Sequence, residues 1–232
     1  MTDFTIIVKL DLEKDARNYR SAFNINIHSS KRKDQVEHTI DIDLQKLQDM
    51  KEQYAYPFLR EYLEDFWSKN KDISQQKIHE MQTNLNQHKD DIFKKMVILT
   101  KQPIYRNDFT IFLTSLNRWP YNIKLWQTRS GLYWDWILRA FIHELLHFQT
   151  IWYYKQYIMN KLHDEKKFED LKEALTFLLN HIFKDSIEWY DDWHPQHQEL
   201  RKQLEGYRLS QPENERDFEK LIDYGCEILL AR

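Results

Sequence analysis

Ala140-Phe-Ile-His-Glu-Leu-Leu-His-Phe-Gln149 is the stretch from which the fold is read. His143, Glu144 and His147 form the pattern H-E-x-x-H. On a helix, residues four apart lie about 40° apart around the axis and roughly 6 Å apart along it, so both imidazoles face one point. Glu144 stands about 100° round from His143, beside that point rather than under it. Two imidazoles converging in this way suit a metal ion, and the neighbouring carboxylate suits a base acting on water. Between Trp136 and Tyr154 the only formal charges are Arg139 and Glu144. Leu138, Phe141, Ile142, Leu145, Phe148 and Trp152 fill one side. Trp136, Ala140, His143, His147, Thr150 and Tyr154 fill the other. A helix apolar nearly all round is a buried one. Polar groups buried within it need partners, which a metal would supply, or else backbone and hydroxyl groups in an ordinary core.

Composition sets the frame. The 232 residues include 41% hydrophobic and 31% charged residues, which suits a globular core in a single domain. Only 3 Gly and 5 Pro favour helices over tight turns. A net charge of −3 leaves no global basic field, so no nucleic-acid partner is expected. No apolar run approaches a membrane span, and the N-terminus lacks a signal-peptide pattern. The single Cys226 fits a reducing compartment, so a cytoplasmic protein is expected.

Outward from the motif, the chain reads as α+β: mostly helical, with a small antiparallel N-terminal sheet over about residues 1–44 and a metal-site core over about 105–205. Ile6, Val8, Leu10 and Leu12 alternate as a strand. Phe23, Ile25 and Ile27 suggest a second strand, and Val36 through Leu44 a third. Their order suggests a meander, with a basic turn at Lys31-Arg32-Lys33. Leu47, Met50, Tyr54, Phe58, Tyr62 and Phe66 then recur at helical spacing, with Pro57 expected to kink or interrupt. Asp72 or Ser74 is expected to cap a helix with Ile78, Met81, Leu85, Ile92 and Met96 as its apolar stripe. Residues 109–116 and 122–128 read as strands, and Ser130-Gly131 as a break before the motif helix.

A zinc site needs more than two imidazoles, and catalytic zinc commonly takes three protein ligands and a water. Thr150 and Tyr153 stand where the extended H-E-x-x-H-x-x-G-x-x-H form would place Gly and His. A downstream carboxylate is the other solution, and Glu173 is the foremost candidate. It lies on a helix expected over residues 168–183, whose residues 174–183 carry no charge. An uncharged polar face bearing one carboxylate fits an internal site. His163, Asp164, His181 and Glu188 are alternatives. In Trp189-Tyr-Asp-Asp-Trp-His-Pro-Gln-His197, Tyr190, His194 or His197 are candidates to donate to an oxyanion, and His194 with His197 to bind a metal. Arg201 is a candidate for carboxylate recognition.

At these residues the chain resembles the zincin superfamily of metallopeptidases. His143-Glu144-Leu145-Leu146-His147 with Glu173 looks like the gluzincin arrangement typified by thermolysin. The two strands before the helix look like the small zincin sheet. The resemblance covers about residues 109–183. It implies a zinc peptidase acting on a peptide or protein, with His143, His147 and Glu173 as ligands, Glu144 as general base, and Tyr190 or His194 at the oxyanion. One departure is Phe177, where many gluzincins carry an Asp that supports a His, with Thr176 or Asn180 as substitutes. Two further readings stay open. One is a non-enzymatic domain stapled by zinc, its fourth ligand coming from His163, His181 or His194. The other is a metal-free helical interaction module.

Overall fold

The computed structural model describes residues 4–24, 50, 52–115, 127–131, 137–185 and 195–232. The expected third strand at 36–44, Ile25 and Ile27 of the second, the basic turn, and residues 116 and 122–126 of the two later strands all lie outside these. Elements are numbered along the described residues. The chain is α+β and mostly helical. It divides into two compact units: apart from the first two residues, one comprises 3–87 and 108–140, the other 88–107 and 141–232.

The first unit holds the sheet. Strands β1 (Thr5–Leu10), β2 (Asp108–Thr114) and β3 (Gln127–Gly131) lie in the order β1-β2-β3. Both pairings are parallel, Thr5 opposite Asp108 and Thr110 opposite Gln127. This corrects the expected antiparallel sheet. Alternation reports which side chains face the core and carries no information on partner or direction. Parallel neighbours need long crossovers, and among the described residues three helices lie between β1 and β2. β3 runs past the expected end at residue 128 and includes Ser130 and Gly131, expected as a break. Along β1, Ile6 and Val8 are buried while Ile7 faces outward. The Gln82 side chain closes the backbone of this strand like a short stretch of sheet: its Nε2 donates to Ile6 O at 2.6 Å, and Val8 N donates to its Oε1 at 2.9 Å.

Helix α1 (Leu12–Asn24) occupies residues whose helical character the alternation concealed, and it includes Phe23, expected in a strand. Asp11 starts it, accepting from Lys14 N at 3.1 Å. Helix α2 (Glu52–Lys69) runs continuously through Pro57. It buries Ala55, Leu59, Leu63 and Trp67, a stripe adjacent to the expected aromatic one, and Tyr54 is exposed. Helix α3 (Lys71–Thr100) begins ahead of Asp72 and Ser74, so neither caps it. Met81, Leu85, Ile92 and Met96 are buried as expected.

The second unit is built on α4 (Ile137–Leu162), of which residues from Phe141 belong to it, together with α5 (Glu165–Ala174), α6 (Phe177–Ile182), α7 (Gln198–Ser210) and α8 (Phe218–Leu230). The single helix expected over 168–183 is two, because i→i+3 bonds tighten the chain at Leu175–Thr176: Leu178 N donates to Leu175 O and Leu179 N to Thr176 O. His163, at φ 51°, ends α4, and the Asp164 side chain caps α5. Helices α5, α7 and α8 pack together. A Cβ at Gly225 of α8 would meet Leu171 Cδ1 at 2.5 Å and Leu204 Cδ2 at 3.3 Å. Gly225→Val is therefore expected to cost about 1–3 kcal/mol by overpacking, read from the urea midpoint.

Candidate metal centre

Every residue from Phe141 to Thr150 except His143 is buried. Trp152, expected on a buried side, is 54% exposed. Gln149, Thr150 and Tyr154, buried on α4, have partners within this unit. Gln149 donates to Pro103 O and accepts from Tyr105 N, each at 3.1 Å. Thr150 donates to Leu146 O, and the Tyr154 hydroxyl to Thr100 O. Glu144 differs. Its carboxyl is buried, and Oε2 meets no hydrogen-bond partner among the described residues.

His143 and His147 turn their rings to the same point. Their Nε2 atoms are 2.7 Å apart, and the ring planes cross at 83°. Glu173, the penultimate residue of α5, brings its carboxylate to them. Oε1 lies 3.4 Å from His147 Nε2, and Oε2 lies 3.8 Å from His143 Nε2. Ligand atoms of these three side chains all fall within 4.8 Å of one another. Zinc bonds of about 2.0–2.1 Å in a tetrahedron give edges of about 3.3 Å, so the observed separations bracket the required ones. The donor set, two imidazoles and one carboxylate, is one that catalytic zinc takes.

The electrostatics of the group follow from burial. Burial pushes the His147 imidazolium down to about 3, helped by His143 and Lys172 and opposed by Glu173. The ring is thus neutral, the form that ligates metal. Burial pushes Glu144 up to about 7; Glu173 adds to the rise, while His143 and Lys172 oppose it. For Glu173 burial acts upward too, but His147, His143 and Lys172 outweigh it and hold the carboxyl well below the usual range. Lys172 makes the last and smallest of these contributions.

Lys172 was not singled out from sequence. Its side chain is fully buried, with Nζ 2.6 Å from Glu169 Oε2 and 3.5 Å from Glu173 Oε1. A lysine between acidic residues reads as solvated, and only packing shows otherwise. If this group holds zinc, Lys172→Met is expected to weaken the binding about 10–100-fold by removing a neighbour that orients the Glu173 carboxylate, checked by chelator competition.

The other sequence candidates are placed elsewhere. Asp164 caps α5, and His181 pairs with Glu205 at 2.8 Å. His197 is buried with Nδ1 3.7 Å from Asp170 Oδ1, outside the three-residue group. Arg201, a candidate for carboxylate recognition, donates to Glu173 O and Thr176 Oγ1. Thr176, considered as support for a His, donates to Glu173 O. Tyr190, His194 and Glu188 lie outside the described residues. No family model matches the chain, and no curated protein or solved structure is significantly similar to it.

Proposed function

We propose that the chain is a zinc-dependent metallopeptidase of gluzincin-like type. The observation that carries this is the convergence of Glu173, from α5, with His143 and His147, all within 4.8 Å, the two histidines standing on the helix that also buries Glu144. His143, His147 and Glu173 would hold Zn²⁺. When bound there, zinc supplies the Lewis acidity that acidifies water and polarises a carbonyl. Glu144 takes the proton from the attacking water and returns it to the leaving amine of a peptide substrate. Its burial raises the carboxyl above the usual range, the direction that suits a group passing a proton from water to amine. Neutral His147 needs no deprotonation to ligate, and His147, His143 and Lys172 together favour the ionised form of Glu173. Tyr190 or His194 is proposed to donate to the oxyanion.

The zincin likeness rests on the motif helix, on Glu173 and on the order strand, strand, helix along the chain. Among the described residues no helix is long and apolar enough to cross a membrane. A cytoplasmic setting is proposed from the lone, buried Cys226.

Purified protein is expected to carry one zinc per chain and to cleave members of a quenched-fluorescence peptide library. A chelator is expected to remove both the metal and the cleavage, and added zinc to restore them. Cleavage that persists undiminished in metal-free protein would contradict the proposal. Stoichiometric zinc without any cleavage would favour the stapling role over the peptidase.

A further inference from the structure

The two histidines sit mid-helix, where the backbone is fixed on both sides. Glu173 does not. It is one residue from the end of α5, where carbonyls lose their intrahelical partners and helices fray. A ligand there would lose backbone and side-chain freedom on binding a metal, at a cost in affinity, unless something orders it beforehand.

The Glu173 carbonyl is held from three directions. Thr176 N donates to it at 3.3 Å and Thr176 Oγ1 at 2.8 Å. Arg201 Nη2, from α7, donates to it at 3.1 Å and also to Thr176 Oγ1 at 2.8 Å. Arg201 is 6% exposed and Thr176 fully buried. A guanidinium at a helix C-terminus is favoured by the helix dipole, and its planar fork reaches two acceptors at fixed geometry. The bonded atom belongs to the backbone of the candidate ligand itself.

We infer that Arg201 is a positioning residue of the metal centre, locking through Thr176 the backbone of the third ligand so that its carboxylate is presented in place. This rests on the zinc reading above. In this role Arg201 holds backbone and hydroxyl oxygens rather than the carboxylate. It acts through Glu173, much as outer partners of metal ligands do.

Zinc dissociation constants by chelator competition, visible absorption of the Co²⁺-loaded protein, and thermal midpoints of the metal-free protein separate the possibilities. Arg201→Met is expected to bind zinc about 10–100-fold more weakly, with an altered Co²⁺ spectrum. Arg201→Lys and Thr176→Val are expected to fall between it and wild type, and they carry the test if the methionine variant does not fold. Leu204→Ala, a core truncation in the same helix, is expected to lower the thermal midpoint while leaving zinc affinity and spectrum as in wild type. Wild-type affinity and spectrum in the folded Arg201 and Thr176 variants would overturn the inference. So would a loss of affinity in Leu204→Ala that tracks its loss of stability as theirs does. Failure of the wild-type chain to bind zinc would overturn the underlying metal reading, a result seen before any variant is made.

Discussion

Glu144→Gln is expected to lose peptide cleavage by roughly 10²–10⁴-fold, the range for removing a general base, while binding zinc as the wild type does. The side chain lies outside the three-residue ligand group, so metal stoichiometry is expected to hold. Glutamine matches glutamate in shape but accepts no proton at neutral pH. The variant is also expected to be at least as stable as wild type. Glu144 is buried, and its Oε2 meets no hydrogen-bond partner among the described residues, so the native carboxyl is a burden on folding. A stabilised, inactive variant would be a functional residue kept at the expense of stability. Unchanged cleavage would remove Glu144 from the mechanism. Lost zinc would make it a ligand instead.

The second large effect lies in the other unit. Asp15 of α1 is buried and accepts from Trp67 Nε1 at 2.9 Å, from Ser115 Oγ at 2.8 Å, from Ser115 N at 3.2 Å and from the Thr114 hydroxyl. It ties α1 to the end of β2 and to α2. Asp15→Ala leaves those donors buried without an acceptor, and is expected to cost about 3–5 kcal/mol in urea denaturation. The pH dependence has a definite sign. Burial, against the hydrogen bonds, raises the carboxyl above its ordinary 3.8. The folded state therefore holds the proton more tightly than the unfolded chain. This contribution to stability is complete below 3.8 and is lost as pH rises through the folded value. The stability gap between wild type and Asp15→Asn is accordingly expected to be wider at acid pH and to narrow toward neutrality. A gap that widens with pH would contradict the assignment.

Local pattern carried some of this molecule and not the rest. The motif helix was legible because a long apolar stretch with two charges has one physical reading, a buried helix. Glu173 was legible because residues 174–183 lack charge, which marks a face turned away from water. Sheet direction was not legible, since alternation is the same for parallel and antiparallel neighbours and the partner of β1 lies a hundred residues away. Asp11 offered a signal that went unread: a cap residue just where the alternating pattern passes into a helix. In α2 the aromatic residues drew the expected stripe to Tyr54 and Phe58, but the close-packed side uses Ala55, Leu59, Leu63 and Trp67. Alanine carries little weight in a hydrophobic pattern, although its small size lets an element approach closely. Lys172 and Arg201 were unreadable for a different reason. A charged residue is most often solvated, and nothing in the local pattern marks these two as buried.

X-ray absorption at the zinc edge, on zinc-loaded wild type and Glu173→Ala, tests the central claim most directly. The expected result is one zinc per wild-type chain with two imidazole nitrogens and oxygen ligands at about 2.0–2.2 Å, and a loss of affinity with an altered oxygen shell in Glu173→Ala. A wild-type chain that takes up no zinc, or zinc bound through fewer than two imidazoles, or a shell unchanged in Glu173→Ala, would contradict it.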